Sequence, residues 1–459
     1  MSSQLVDFRV TPHSVLRTEE HVLECFERSY KPRDQWGIGI ELEKIGVCKR
    51  DLSPVQYDTA QIILQELGRR LHWEQIIDGG VLVGLRNGVG SASITLEPGA
   101  QIEIATAPSA NLIDLRSQLL SQVEMLNSIS KQHEVGWLSV GYQPFARLTE
   151  VGRVPKPRYE IMRNHFSSMK DRSLEMMYMT AATQINIDYS DRDDLTTKIG
   201  LAATFSPLVA SLLSSCPIIR GKISRSSRRS LVWVQTDPAR TGLPSFLFGA
   251  NALVEYVRWA LKAPMLMIRE TSGVRPVTDL TFEAFMRQGY CGRFPTEEDW
   301  WHHVNLLFPD VRLRRTIEIR GTDSLPSSLA ISLATLWKGL LYDQESIKQA
   351  LRLKEDTRPE WVMFVRQIAA RHPGLFAAER DRLRRIASDL ISISEAGLQR
   401  LGVFVDDNDV SEDQLLMPLK SLVKTGQTPA EIMRQFWLEK WAKDPRSLVK
   451  YSMEQEVTA

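Results

Sequence analysis

Residues 39–43 read Gly39-Ile40-Glu41-Leu42-Glu43, and their strict alternation decides how the chain folds. Successive side chains of a strand point to opposite faces, so Ile40 and Leu42 lie on one side and Glu41 and Glu43 on the other. Three further stretches repeat the pattern: Thr95-Leu96-Glu97 running into Gln101-Ile102-Glu103-Ile104, Gln184-Ile185-Asn186-Ile187-Asp188, and Ile317-Glu318-Ile319-Arg320. A sheet with one polar face commonly does no more than meet water. Here the polar positions largely lack the Lys, Thr and Ser of solvated strands, and carboxylates dense enough to repel one another imply a cation between them.

Pro98-Gly99-Ala100 is a hairpin turn signal between two of these stretches. A two-residue loop would put Thr95 and Glu97 on the face opposite Gln101 and Glu103. A three-residue loop, pairing 97 with 101 and 95 with 103, gathers all the polar groups on one face and Ile94, Leu96, Ile102 and Ile104 on the other, and is therefore preferred. Helices are expected near Asp58–Arg70, over Leu112–Gln132 and over Leu195–Ser215, and the pattern is helical almost throughout from Ser327. Residues 217–249, rich in Arg, Ser, Gly and Pro, read as a long loop serving as a lid or binding segment. The expected class is α+β: an antiparallel sheet with one polar catalytic face, backed by helices. It forms one catalytic domain over 1–459, with a sheet-containing core at 1–326 and a helical C-terminal region at 327–459.

The chain has 459 residues, 43% hydrophobic and 25% charged, with a formal net charge of +1. That balance attracts neither nucleic acid nor an anionic membrane. No apolar run approaches the roughly 20 residues that cross a bilayer, and the N-terminus shows no secretory signal. The four cysteines, Cys25, Cys48, Cys216 and Cys291, form no Cys-x-x-Cys pair. They signal neither a zinc site nor a disulfide framework, and Cys25 falls in an apolar helical stripe as a buried free thiol. The expected setting is the cytoplasm, and the expected partners are small molecules, with no nucleic acid and no membrane, in a monomer or homodimer.

The acids carry the first functional signal. Mg²⁺ prefers carboxylate oxygens and keeps waters and substrate phosphates in its shell, so Glu41, Glu43, Glu97, Glu103 and Glu318, with Gln101 as a neutral donor, suit a site holding more than one such ion around a nucleotide polyphosphate. Arg158, Arg228, Arg229, Arg240 and Arg320 lie in loops or beside the acid strands, and arginine suits bidentate recognition of phosphate and carboxylate. No Gly-x-x-x-x-Gly-Lys-Ser/Thr, Gly-x-Ser-x-Gly or His-Glu-x-x-His occurs, and the glycines at 79, 80, 84, 88 and 90 do not fit a dinucleotide fingerprint. His302-His303 sits on an expected helix, where neighbours face about 100° apart, and reads as structural.

Taken together, the segments resemble the plant-type glutamate–cysteine ligases (gamma-glutamylcysteine synthetases). The matching pieces are Gly39-Ile40-Glu41-Leu42-Glu43-Lys44, Leu96-Glu97-Pro98-Gly99-Ala100-Gln101-Ile102-Glu103, Gly141-Tyr142-Gln143-Pro144, Pro155-Lys156-Pro157-Arg158-Tyr159 and Met176-Met177 with Thr180. They continue with Gln184-Ile185-Asn186-Ile187-Asp188, Arg229-Ser230-Leu231-Val232-Trp233, Thr236-Asp237 with Arg240, and Glu318-Ile319-Arg320-Gly321, in the family's order from about 36 to 442. The resemblance implies a glutamine-synthetase-like fold, ATP as co-substrate with Mg²⁺, and γ-glutamylcysteine as product. It implies metal binding at Glu41, Glu43, Glu97, Glu103 and Glu318, and catalytic roles for Arg320 and Arg229. Substrate or ATP binding is implied at Gln101, Arg158, Tyr159, Thr180, Gln184, Asn186, Trp233 and Arg240. Met179-Thr180-Ala181 departs from the Arg-Thr-Cys of many relatives. Two alternatives stay open: a ligase of the same fold with another acceptor amine, and a catalytically silent homologue that binds nucleotide or a partner protein.

Overall fold

A computed structural model describes residues 15–88, 91–224, 227–271, 273–371, 373–402 and 410–454. The N-terminal residues 1–14, read above for a secretory signal, and Gly90 lie outside them. The alternating stretches become strands of one nine-stranded sheet. These are β1 (Ile38–Cys48), β2 (Glu74–Asp78), β3 (Val81–Arg86), β4 (Ser93–Leu96), β5 (Ile102–Ala105), β6 (Val135–Leu138), β7 (Ala182–Ile187), β8 (Val311–Leu313) and β9 (Ile317–Asp323). Their order is β8-β9-β7-β1-β5-β4-β3-β2, with β6 on the second half of β1, and every pairing in the sheet is antiparallel.

Register carries the two faces across the sheet as the sequence predicts. Leu42 pairs with Ile104, Ile40 with Ile185 and Ile319 with Ile185, so their side chains form one apolar layer, each 3% exposed or less. Two helices, α1 (Leu112–Gln132) and α4 (Ser327–Leu341), pack against that layer. α2 (Arg192–Leu212) covers β8 and β9 at the edge. Among the described residues α2 alone is long and apolar enough to cross a membrane, but 83% of its most apolar window is buried inside the fold. It is a core helix, at the position where the sequence pattern predicts one over Leu195–Ser215.

The 95–103 hairpin adopts the three-residue loop. Thr95 pairs with Glu103 and Leu96 with Ile102, and the Glu97 amide donates to the Gln101 carbonyl at 2.9 Å. Ala100 sits at φ 59°, in the left-handed region that this loop geometry requires. At Gly99 a Cβ would lie 2.5 Å from the Tyr178 carbonyl, so only glycine lets the turn approach that segment.

Beyond Glu43, β1 changes character on the same face. Ile45 and Val47 replace the acids and join a second cluster with Leu138, Val140, Ala181, Met433, Trp437, Leu448 and Val449. The covering residues come from helices Pro429–Glu439 and Pro445–Glu454. The polar face is therefore confined to one end of the sheet. Ala181, at the sequence departure noted above, lies in this apolar cluster rather than among the acids.

The 217–249 segment is not the long loop expected. Outside residues 225–226, which are not described, it holds a ribbon pairing Ile218–Ile219 with Lys222–Ile223, a short helix α3 (Arg228–Trp233), and Thr241–Gly242 paired with Phe308–Pro309. Ser227 caps α3 by accepting from the Ser230 amide at 3.3 Å. A helix of six residues is too short to write a helical period into its sequence, so composition alone read as loop. β6 ends at Leu138, and Tyr142 beyond it bridges to Thr180. His303 is structural as expected: it is 1% exposed, stacks on Phe282, and its Nε2 lies 2.8 Å from the Ala260 carbonyl oxygen. All four cysteines are free, and burial is the main influence pushing the Cys25 thiol up to about 12.

Candidate active site

The polar face brings Glu41, Glu43, Glu103, Gln184, Asn186, Glu318 and Arg320 together from four strands. Glu43 pairs with Glu103, Glu41 with Gln184, and Glu318 with Asn186. Amide side chains separate the charges. Gln184, fully buried, donates to Glu43 Oε1 at 2.8 Å and accepts from Arg320 Nη1. Asn186 donates to Glu41 Oε1 at 2.9 Å and accepts from the Thr316 hydroxyl at 3.0 Å. The Ala182 amide donates to the other Glu43 oxygen at 2.8 Å.

Arg320 owes its position to a bulge. Ile319 opposes Ile185 and Thr322 opposes Thr183, so Arg320 and Gly321 together face the single residue Gln184. The extra residue lets the Arg320 amide bond to the Asp310 carbonyl at 2.9 Å while its guanidinium reaches Gln184 and Glu318.

Glu318 is held by arginines. Arg312, its cross-strand partner, grips it with two bonds of 2.7 and 2.8 Å, Arg320 takes one oxygen, and Arg314 lies at 3.6 Å. Burial acts to raise the Glu318 carboxyl, but Arg312, Arg320 and Arg314 together hold it far below the usual carboxylate range. Arg312 and Arg314 were not among the expected site residues. Arg312-Leu313-Arg314 alternates like the acid strands, so the two arginines share a face, but the turn at 314–316 that brings that face to Glu318 is not written in the alternation.

Glu41 and Glu43 behave in the opposite way. Burial, then the Glu318 and Glu103 carboxylates, push Glu41 up to about 7, and one of its oxygens is buried without a hydrogen bond. Burial and the Glu97 carboxylate push Glu43 up to about 8. Among the described residues, no three His, Cys, Asp or Glu side chains close on a point as a ready metal cage would. The acids form a row, and Glu97 sits at its hairpin end, half-buried.

The remaining expected residues divide in two. Arg229 and Trp233, on α3, line a pocket with Pro207, Phe308, Asp310 and Arg320. Arg229 donates to the carbonyls of Arg320 and Gly321 at 2.9 and 2.8 Å, leaving its buried Nε and the Trp233 indole N–H without acceptors. The other group is engaged by the framework. Gln101 donates to the Thr180 carbonyl at 2.9 Å and accepts from the Gly99 amide, Thr180 donates to the Met176 carbonyl, and Tyr159 donates to the Leu96 carbonyl. Arg240, fully buried, donates to Asp237 at 2.5 Å and to the Leu306 and Pro264 carbonyls. Arg158 is half-buried and lies in the field of Glu97.

Comparison with known proteins places this geometry in context. The family described as glutamate-cysteine ligase family 2 matches residues 37–454. The chain is 32% identical over 433 residues to the chloroplastic glutamate–cysteine ligase B of Oryza sativa subsp. japonica, covering 93% of this chain and 85% of that protein. It is 31% identical to the chloroplastic glutamate–cysteine ligase of Arabidopsis thaliana, covering 93% and 81%. A crystal structure of glutamate–cysteine ligase from Francisella tularensis in complex with AMP aligns over 92% of both chains, with a TM-score of 0.45 and 12% identity. The plant names correct one expectation: these relatives are named chloroplastic, so the similarity does not support the cytoplasmic setting. The free cysteines do not distinguish one compartment from another.

Proposed function

Because the chain belongs to glutamate–cysteine ligase family 2, we propose that it joins the γ-carboxyl of L-glutamate to the amine of L-cysteine with ATP, through a γ-glutamyl phosphate, releasing ADP and phosphate. The product, γ-glutamylcysteine, is the first intermediate of glutathione-type thiol synthesis, and the whole chain acts as one catalytic domain. The observation that carries the reading is the buried relay Glu43–Gln184–Arg320–Glu318, an ordered row of carboxyl, amide, guanidinium and carboxylate on one sheet face.

A carboxylate is a poor electrophile, and an amide does not form from it unaided in water. Transfer of a phosphoryl group to the γ-carboxyl gives an acyl phosphate that an amine attacks, expelling phosphate. Both steps build charge on oxygen, and fixed guanidiniums stabilise that charge without reorganising. Arg320 is oriented for this by Gln184 and Glu318, and Arg229 is tethered to the same bulge. The open donors of Arg229 and Trp233, against the apolar wall of Pro207 and Phe308, suit an amino-acid carboxylate.

The acid row fits a divalent ion in part. The unbonded Glu41 oxygen and the oxygen-only donor set favour Mg²⁺, whereas Glu318 is already neutralised by guanidiniums. Glu41, Glu43 and Glu103, with Glu97 at the hairpin end, would hold the ion, which would supply charge neutralisation for a triphosphate. Release of ADP, measured with glutamate and a panel of amines, tests the function. Cysteine supports turnover, and Arg320→Ala abolishes it while the circular-dichroism spectrum is unchanged. ADP release with another amine alone replaces the acceptor; no release with any amine, or a near-normal rate for Arg320→Ala, overturns the reading.

A further inference from the structure

Helix α5 (Pro359–Arg371), which the sequence pattern did not delimit, touches the arginine assembly at two points. Arg366 makes a forked ion pair with Asp310, Nε to Oδ2 at 2.6 Å and Nη2 to Oδ1 at 2.9 Å, in the wall of the pocket that holds Arg229 and Arg320. Three residues on, and so on the same helical face, the Ala369 carbonyl accepts from the Ser227 amide at 3.3 Å, at the cap of the helix that carries Arg229.

Asp310 is the junction. Its carbonyl accepts from the Arg320 amide at 2.9 Å and its amide donates to the Gly242 carbonyl at 2.8 Å. The Arg229 guanidinium in turn rests on the carbonyls of Arg320 and Gly321. One face of α5 thus fixes the bulge that aims Arg320 and the cap that aims Arg229. The two side chains of the pair are only 11% and 13% exposed, so water competes weakly with the fork.

We propose that Arg366, acting through Asp310, is a positioning residue that aligns Arg320 and Arg229, a role that rests on the ligase reading above. The edge of its guanidinium formed by Nε and Nη2 is committed to Asp310, which assigns that edge to positioning and not to an anion. The two roles predict opposite signs for one substitution. If Arg366 only positions, Asp310→Asn weakens catalysis just as Arg366→Met does. If Arg366 binds substrate, Asp310→Asn releases a guanidinium and tightens substrate binding.

Steady-state kinetics of the full chain with glutamate, cysteine and ATP tests the proposal. Misplacement of a catalytic group by about 1 Å costs ~100-fold, so Arg366→Met and Asp310→Asn should each lower kcat by ~10–100-fold with KM changed less than ~3-fold. Arg366→Lys, which keeps one ionic contact, recovers a large part. In an Arg320→Lys background, Arg366→Met adds less than ~3-fold, since both changes act through the same guanidinium. Full additivity, an effect confined to KM, or unchanged kcat in both single variants overturns the positioning role. If Arg366→Met does not fold, Arg366→Lys and Asp310→Asn carry the same test. Failure of the wild-type chain to turn over ATP with these substrates removes the ligase reading itself, an outcome visible before any variant is made.

Discussion

Replacing Glu41 by Gln should flatten the dependence of stability on pH, because this carboxyl is raised from its ordinary 4.5 to about 7 by burial and by the Glu318 and Glu103 carboxylates. Between those two values the folded protein holds a proton that the unfolded chain has released. The stability contribution is therefore complete below pH 4.5 and is lost as pH rises through about 7. A tenfold difference in proton affinity between the folded and unfolded states is worth about 1.4 kcal/mol, so Glu41 alone withdraws on the order of 3 kcal/mol across the window. Unfolding entropy near 2 cal/mol/K per residue gives a chain of 459 residues roughly 1 kcal/mol/K, so that loss lowers Tm by about 3 °C. His303 works the other way: burial holds its imidazole down to about 4, so its contribution is present above 6.5 and fades as pH falls through about 4. The informative quantity is therefore the difference between wild type and Glu41→Gln. The amide keeps an oxygen for the Asn186 contact and cannot ionise. Scanning fluorimetry from pH 5 to 8.5 in EDTA should show the wild type losing those degrees relative to the variant. Mg²⁺ at about 100 times its dissociation constant adds roughly 2.7 kcal/mol; it should restore the wild type at pH 8, do little at pH 5.5, and leave the variant unmoved. Parallel pH profiles, or an equal Mg²⁺ effect on both proteins, would refute the reasoning and remove Glu41 from the cation site.

Three other substitutions or labels probe different parts of the structure. Gln184→Leu keeps the volume but removes the amide between Glu43 and Arg320; kcat should fall by ~10–100-fold with secondary structure intact, as read by ADP release and circular dichroism. Gly99→Ala must displace either the Tyr178 carbonyl or the turn, since its Cβ would lie 2.5 Å from that oxygen; a stability loss of about 1–3 kcal/mol should appear in urea titrations. Thiol titration of the native chain should modify exposed Cys291 first and leave Cys25 and Cys216 untouched until denaturant is added, because burial keeps both as unreactive thiols.

The sheet was legible because a period of two is written locally. The choice of a three-residue loop at Pro98-Gly99-Ala100 followed from requiring Thr95, Glu103 and the neighbouring isoleucines each to find their own face, and the pairing of Thr95 with Glu103 matches it. The Glu318 environment was half legible. Its face was visible, but the grip of Arg312 depends on a hairpin register set by the turn at 314–316, which alternation alone does not locate. Arg229 was singled out as an arginine, yet its helix was not seen, because six residues carry less than two helical turns. Asp310 and Arg366 left no trace at all. Their pairing joins a strand end to a helix 56 residues later, and no local pattern records a contact of that kind.

The change of character along β1 makes this strand intolerant of length variation in a specific way. A one-residue deletion before Ile45 would reverse parity upstream of it, turning Glu41 and Glu43 into the hydrocarbon layer and Ile40 and Leu42 out toward the substrates. Removing two residues restores parity but slides the carboxylates along the sheet, away from Glu103 and Gln184. Side-chain exchange and the connections beyond the sheet can therefore vary without moving the carboxylates, whereas a change in the spacing from Ile38 to Val47 cannot.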